Sequence, residues 1–210
     1  MAQQLTVVKK VKNAVLYDNG VIRIDNVIGS YPNVLVAKAG DDGGEPKYSF
    51  DSLLPKDTHK EAIDLIVEQV RKMMKVANVQ IAASKLFIKD GNKWYEDKPE
   101  YQGCYVVKAR ESRRPTLRDS SGAKLDPKDD RDTIADLFYG GATFSVVVNP
   151  WLQNNKFGKR VNANLYAVRF MEHGEAFGTG RVDDEDVWDD LDAGGEGGGG
   201  SDDNWDDDEI

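Results

Sequence analysis

Five cations lie within eleven residues of the stretch VVKARESRRPTLR: Lys108, Arg110, Arg113, Arg114 and Arg118. If the first part is a strand, Lys108 and Arg110 share one face while Val107 and Ala109 share the other. A row of cations on one face can follow a chain of phosphates, so this pattern favours nucleic-acid contact. An ordinary solvated strand face is the alternative.

A second stretch, NPWLQNNKFGKR, mixes aromatic rings with cations: Trp151, Lys156, Phe157, Lys159 and Arg160. Pro150 is expected to end a strand and to leave Trp151 on a polar loop. Flat rings stack on bases of any sequence, which is worth roughly 1–3 kcal/mol per base. The pattern predicts a stacking platform, and a tryptophan anchor that closes one end of a barrel is the alternative.

A third and weaker stretch is GNKWYEDKPEY, where Trp94 and Tyr95 stand beside Lys93 and Lys98. Its rings could stack on bases or pack inward. Tyr48 and Phe50 share one side of a predicted strand, and core packing explains them at least as well as base stacking.

Catalytic and metal chemistry find little support in the sequence. The two histidines, His59 and His173, and the single Cys104 are too far apart to make a zinc motif. Asp25 followed by Glu45-Pro46-Lys47 could imitate the carboxylates and lysine of a metal-dependent nuclease, but a hairpin turn is the preferred interpretation. The sequence therefore predicts no catalytic residue, no bound metal and no cofactor.

The charge is divided very unevenly along the chain. The formal net charge is −9, but residues 183–210 hold fourteen acids and no Lys or Arg. The remaining residues hold 28 bases against 23 acids, a balance of +5. A basic body with an acidic end indicates nucleic acid or another charged partner.

The acidic segment 183–210 also carries aromatic residues, because Asp-x-Trp-Asp-Asp occurs at Trp188 and again at Trp205. The second copy continues through Asp206, Asp207 and Asp208. Such a composition predicts disorder. A simple solubility tail is one interpretation. We favour a tail that imitates single-stranded DNA, competes for the basic groove and recruits partners when released.

The elements that position these residues are mostly strands. Asn33–Lys56 is expected to form a hairpin, with a Gly-Ser-Tyr-Pro turn before it. Thr58 and Glu61 fit a capping box, and helical spacing of Ile63, Ile66 and Val70 predicts a helix over about 58–75.

Further strands are expected at 103–112, 142–151 and 160–172, with a polar loop at 89–103 and a helical turn at 134–141. The count predicts a mainly β protein with an OB-fold-like five-stranded barrel and one inserted α-helix. The domain assignment is a flexible N-terminal segment at 1–19, an OB-fold domain at 20–182, and the disordered acidic tail at 183–210.

Cellular location is inferred from what the chain lacks. A single cysteine excludes an internal disulfide, the N-terminus has no signal-peptide core, and no apolar run is long enough to span a bilayer. The expectation is a cytoplasmic protein with no membrane partner.

The stretches GGEPKYSFDSLLPKD, DKPEYQGCYVVKARESRRP and NPW…GKRVNANLYAV, in this order, resemble the OB-fold single-stranded DNA-binding proteins of tailed bacteriophages. The resemblance implies a non-catalytic protein that coats single-stranded DNA in phage replication and recombination, inside the bacterial host. It also implies polymerase or recombinase as partners through the tail, and DNA contacts at Trp151 and at the Lys108/Arg110 pair. Related tails often end in an aromatic residue, whereas this chain ends in Ile210.

Three other classes stay open at this point. The chain could be a DNA-mimicking inhibitor that acts through its tail, a scaffold protein, or a metal-dependent nuclease. The sequence leaves the oligomeric state open.

Overall fold

The computed structural model describes residues 5–39, 44–156 and 158–178. By its internal contacts the chain divides into Met1–Phe177 and Gly178–Ile210, and the second unit lies outside the described residues except for Gly178. The predictions made for Phe157 and for the tail residues Trp188, Trp205, Asp206, Asp207 and Asp208 therefore fall outside the described part of the chain.

The described chain is mostly strand, which confirms the predicted mainly β class. The strands are β1 (Val7–Val11), β2 (Ala14–Tyr17), β3 (Ile22–Lys38), β4 (Lys47–Pro55), β5 (Ile88–Asp90), β6 (Cys104–Glu111), β7 (Thr116–Arg118), β8 (Lys124–Leu125), β9 (Thr143–Asn155) and β10 (Gly158–Glu172). The helices are α1 (Lys60–Val76), α2 (Gly91–Trp94) and α3 (Arg131–Leu137), with short 3-10 turns at Ala83–Lys85 and Pro99–Tyr101.

The OB-like body consists of five long strands, which is the number predicted: β3, β4, β6, β9 and β10. The sheet runs in the order β5-β6-β4-β3-β9-β10-β7-β8, and β2 joins β1 to β3. Among the described strands this hydrogen-bonded path does not close into a ring. A parallel bridge between Leu86 and Val161 instead brings the residues just before β5 against β10.

The N-terminal residues differ from the flexible segment predicted at 1–19. β1 and β2 form a hairpin around Asn13, which has a left-handed backbone (φ 61°). β2 then pairs with β3, with Ala14 opposite Ile24. Ala14 and Val15 are buried, so their apolar side chains hold this hairpin on the body and the folded region begins before residue 20.

The predicted hairpin of β3 and β4 is confirmed, with Asn33 opposite Ser49 and Lys38 opposite Lys47. The Gly-Ser-Tyr-Pro sequence does not turn the chain, because β3 continues through it with a register shift between Ser30 and Asn33. Gly29 is required there, since a Cβ would lie 2.5 Å from the Phe144 ring and 2.8 Å from the Phe50 ring. The missing side chain lets β3 pass over this aromatic pair.

The predicted helix is found as α1, with Ala62, Ile63, Ile66 and Val70 buried. The predicted capping box is wrong. His59 precedes the first turn without a side-chain cap, and the Thr58 hydroxyl is 2.8 Å from His59 Nδ1. The Glu61 carboxylate accepts a hydrogen bond from the Lys12 backbone N–H. The Thr58 hydroxyl thus contacts its neighbour in sequence, and the Glu61 carboxylate makes a long-range contact with the N-terminal hairpin.

The largest difference concerns β9 and β10. Pro150 does not end β9, and residues 152–159 are not a long loop, because β9 continues to Asn155 and β10 begins at Gly158. β3 pairs with β9 only as far as Val148. Beyond Val148 β9 pairs with β10 alone among the described strands, a position in which a strand tolerates proline.

Two apolar clusters hold the fold together. The main one lies on the inner face of the curved sheet and against α1, and it includes Phe50 and Phe144, whose rings meet edge to face at 5.1 Å. The second lies on the outer face of β4 and β6 and contains Leu53, Tyr101, Cys104 and Val106. The segment 89–103, which was predicted to be a polar loop, therefore contains the short helix α2 and the buried Tyr101, which packs in the second cluster. No helix in the described ranges is long and apolar enough to cross a membrane.

Candidate nucleic-acid interface

The outward face of the β9–β10 hairpin carries a ladder of aromatic and amide side chains. Trp151 lies opposite Asn162, Asn149 opposite Asn164, and Gln153 opposite Arg160. The Trp151 indole N–H donates to Asn164 Oδ1 at 2.8 Å, and Asn149 Nδ2 donates to the Tyr166 hydroxyl at 2.7 Å. Trp151 is thus a strand residue, 39% exposed, and not a loop residue as predicted.

These hydrogen bonds fix the two rings and leave them accessible. Tyr166 is 43% exposed and was not recognised from the sequence. The signal was available, because residues 149, 151 and 153 alternate with buried positions in β9, as do 162, 164 and 166 in β10. Alternation alone does not give the pairing register that sets Tyr166 beside Asn149, and the loop predicted at 152–159 left that register undetermined.

The arginines that follow β6 lie beside one end of this ladder. Arg113 and Arg114, just after β6, line an open cleft of about 400 Å³ together with Asn164 and Tyr166. The Arg114 guanidinium lies 5.2 Å from the Tyr48 ring centroid and donates to the Leu35 carbonyl at 3.0 Å. The cleft thus offers two guanidinium groups beside an exposed ring, a combination suited to phosphates and stacked bases.

Lys108 and Arg110 share the outer face of β6, as predicted, but their surroundings differ. Lys108 Nζ is 3.0 Å from Asp51 Oδ2 and 4.6 Å from the Tyr95 ring centroid. Burial disfavours the ammonium, but Asp51 and Tyr95 outweigh it and raise the pKa of Lys108. Arg110 is exposed and has no ion pair with any residue that the structure describes. The charge of Lys108 is already balanced within the protein, while that of Arg110 is available.

A buried network lies beneath Lys108. The Tyr101 hydroxyl donates to Asp51 Oδ2 at 3.0 Å and is 3.2 Å from Ser30 Oγ. Burial and the Asp51 carboxylate raise the pKa of Tyr101, so its phenol stays protonated and can donate. Tyr95 packs edge to face on Tyr101 at 5.1 Å, which assigns Tyr95 to packing more than to an open surface.

The rings of Trp94 and Tyr31 are more exposed than that of Tyr95. Trp94 is 38% exposed, with Lys89 Nζ at 5.6 Å and Lys93 Nζ at 5.7 Å from its ring centroid. Tyr31 is 54% exposed and has Lys98 Nζ 4.1 Å from its ring centroid. Its backbone is left-handed (φ 46°), a strained state for a non-glycine residue that often occurs at functional sites. Sequence reasoning placed Tyr31 in a turn and missed it.

The other predicted cations are distributed more widely. Arg118 Nη1 donates to the Gly122 carbonyl at 2.6 Å and so braces its own β7–β8 turn. Lys156, Lys159 and Arg160 are exposed at and near the hairpin tip. Arg160 faces Gln153 on the ladder side, whereas Arg118 is not brought to the ladder by any pairing in the described sheet.

The residues of the nuclease alternative are not brought together. Asp25 is bound to Arg23 at 3.0 Å near the start of β3, whereas Glu45 lies just before Lys47, which pairs with Lys38 at the far end of β3. In the described ranges no group of three or more His, Cys, Asp or Glu side chains could hold a metal ion.

The chain is similar to known proteins over most of its length. A family model described as the single-stranded DNA-binding protein of Enterobacter phage Enc34 matches residues 21–197. A search of the curated proteins found no match.

Solved structures show the same likeness. The single-stranded DNA-binding protein from bacteriophage Enc34 in complex with ssDNA is 44% identical, with a TM-score of 0.78, and the match covers 84% of this chain and 100% of that one. A C-terminal truncation of that phage protein is 45% identical, with a TM-score of 0.77 and coverage of 84% and 99%. The single-stranded DNA-binding protein encoded by bacteriophage T7 shares 14% identity, a TM-score of 0.51 and coverage of 78% and 97%, a likeness of fold alone.

Proposed function

The chain belongs to the family of the Enterobacter phage Enc34 single-stranded DNA-binding protein, and from that premise we propose that it binds and coats single-stranded DNA without sequence preference. The observation that carries the proposal is the relative solved in complex with ssDNA, whose whole length aligns with this chain at 44% identity. The proposed activity is stoichiometric binding without catalysis or cofactor.

The described surface supplies the two interactions that such binding needs. Bases would stack on the exposed rings of Trp151 and Tyr166, and Tyr31 and Trp94 offer further rings. Phosphates would be met by Arg110, by the arginines of the cleft and by Arg160. Stacking tolerates any base, and the phosphate contacts carry no sequence information, so the proposal includes sequence independence.

We propose further that the acidic segment 183–210 competes with DNA for this surface and, once displaced, binds partners in replication or recombination, polymerase or recombinase among them. Support comes from the charge division alone, fourteen acids against a body of balance +5. The corresponding location is the cytoplasm of the bacterial host.

The test is a salt titration of binding to a fluorescent oligo-dT and to a mixed-sequence oligonucleotide. Affinities for the two should agree within a few-fold and should fall linearly on a log–log plot against salt, with a slope near −0.7 per phosphate contacted. Absence of binding at low salt would refute the proposal. A DNA-mimicking inhibitor would give that result, and a nuclease would shorten the oligonucleotide in Mg²⁺.

A further inference from the structure

Three cations from separate parts of the chain meet beside the hairpin face. Leu86 bridges to Val161, so Lys85 and Arg160, their chain neighbours, are brought to the same place. Lys89 follows in β5 on the outer face, since it lies opposite Val106 of the outer cluster. Lys85 and Arg160 are exposed and Lys89 is half-buried.

These cations have no acidic partner among the described residues. The described ion pairs include none of Lys85, Lys89 and Arg160. Asp90, the acid next to Lys89 in sequence, is held by Lys56 at 2.7 Å and caps α2 through the Asn92 N–H at 3.0 Å. The positive charge of this group is therefore uncompensated by any described carboxylate.

Lys89 is under electrostatic stress in this arrangement. Burial lowers the pKa of Lys89 first, and the charges of Lys108, Lys85 and Arg160 lower it further. An anion bound among these cations would remove the repulsion. A cluster of like charges destabilises the folded state, so selection for stability alone would not favour it. Binding sites accept such a loss of stability.

An aromatic ring completes the group. Two ammonium groups lie near the Trp94 ring: Lys89 Nζ is 5.6 Å and Lys93 Nζ is 5.7 Å from its centroid. Trp94 remains 38% exposed, so a base can still reach it. A phosphate bound between the cations would then lie beside a ring on which the adjacent base could stack.

We propose that Lys85, Lys89 and Arg160 form a subsite for a backbone phosphate of single-stranded DNA, with Trp94 as the stacking surface for the adjacent base. The inference rests on the proposed function and extends it from the Trp151 ladder to β5. Since Arg160 stands opposite Gln153, beside Trp151 in the ladder, the subsite would lengthen the bound strand beyond the hairpin face.

The test compares Lys89→Gln, Lys89→Arg and Arg160→Gln with Lys128→Gln, an exposed loop lysine, in the full chain. Binding to oligo-dT is measured from 50 to 400 mM salt. Lys89→Gln and Arg160→Gln should each reduce the salt slope by roughly 0.7 and the affinity at 50 mM by roughly fivefold to tenfold. Lys89→Arg should retain binding, and Lys128→Gln should change neither quantity.

A stability readout separates this role from a structural one. Lys89→Gln should leave the melting temperature unchanged or raised, because it removes repulsion. Inorganic phosphate, against chloride of equal ionic strength, should raise the melting temperature of the wild type more than that of Lys89→Gln. A lowered melting temperature for Lys89→Gln would make the lysine structural and overturn the proposal.

The failures are distinguishable. If the wild type binds oligo-dT and both Gln variants keep its salt slope, the subsite is refuted and the proposed function stands. If phosphate stabilises only the wild type while the DNA slope is unchanged in the variants, the group binds free phosphate and the assignment to DNA is wrong. If the wild type binds no oligonucleotide, the proposed function itself fails.

Discussion

Replacing Lys108 should weaken the fold more than it weakens DNA binding. The Lys108 ammonium is 3.0 Å from Asp51, and the two side chains are 30% and 11% exposed. In Lys108→Met the Asp51 carboxylate would keep, among the described residues, only its hydrogen bond from Tyr101 and would remain largely buried with an uncompensated charge. The loss therefore falls on the folded state, whether or not DNA is present.

The magnitude follows from the exposure of the pair. Removing one partner of a fully buried ion pair costs about 3–5 kcal/mol. Because Lys108 retains access to water, we expect a smaller cost of about 2 kcal/mol, which in a domain of this size lowers the melting temperature by roughly 4–8 °C. Asp51→Asn combined with Lys108→Met should recover about 1 kcal/mol, since the buried charge is then absent.

Arg110→Met is the matched control, because Arg110 lies two residues along the same face of β6 and is exposed. It should leave the urea unfolding midpoint unchanged and reduce the DNA salt slope by roughly 0.7. Lys108→Met should do the reverse. If Lys108→Met were as stable as the wild type and reduced the salt slope, Lys108 would be a direct phosphate contact and the reasoning would be refuted.

Three further outcomes are expected. Trp151→Ala should lower oligonucleotide affinity by roughly 1–3 kcal/mol for all sequences alike, with little change in salt slope and a retained circular dichroism spectrum; an unfolded variant would make Trp151 a core residue. Deleting residues 183–210 should tighten binding, most at low salt where screening is weakest, and an equal or weaker affinity would exclude competition by the tail. His59 Nε2 lies 3.0 Å from the Asp25 carbonyl and burial lowers the pKa of His59, so the unfolded chain binds the extra proton and stability should fall as pH drops from 7.5 to 5.5. His59→Gln should flatten this dependence, as urea midpoints at the two pH values would reveal, and an equally steep dependence in His59→Gln would refute this assignment.

The class of fold and the main helix follow from local patterns. Alternation in GCYVVKARES and the helical spacing of Ile63, Ile66 and Val70 describe which faces are apolar, and burial of those faces is what the structure confirms. Such patterns do not contain the pairing register. β9 can extend through Pro150 because its pairing with β3 ends at Val148. The end of that pairing is set by tertiary structure and is not visible in local sequence.

The sequence predicts which kinds of residue the candidate site contains, but not how folding arranges them. The cations of 108–118 appear equivalent in the sequence, yet Asp51 neutralises Lys108 and Gly122 holds Arg118. Those partners lie on other strands or turns. Tyr31 and Lys89 were missed for the same reason, because a single ring and a single lysine gain meaning only from the cations and rings that folding brings to them.

Two glycines at the ends of segment 91–103 bear on how variants of this surface could be built. A Cβ at Gly91 would meet the backbone carbonyl oxygens of Tyr101 and Cys104, which cannot rotate away, whereas Gly103 has open space but a left-handed backbone (φ 74°). A randomised library intended to vary the surface around Trp94 must therefore keep both glycines fixed. Diversity is better placed at Glu96 and Asp97, which are exposed, so that most library members retain the fold and differ in the property under selection.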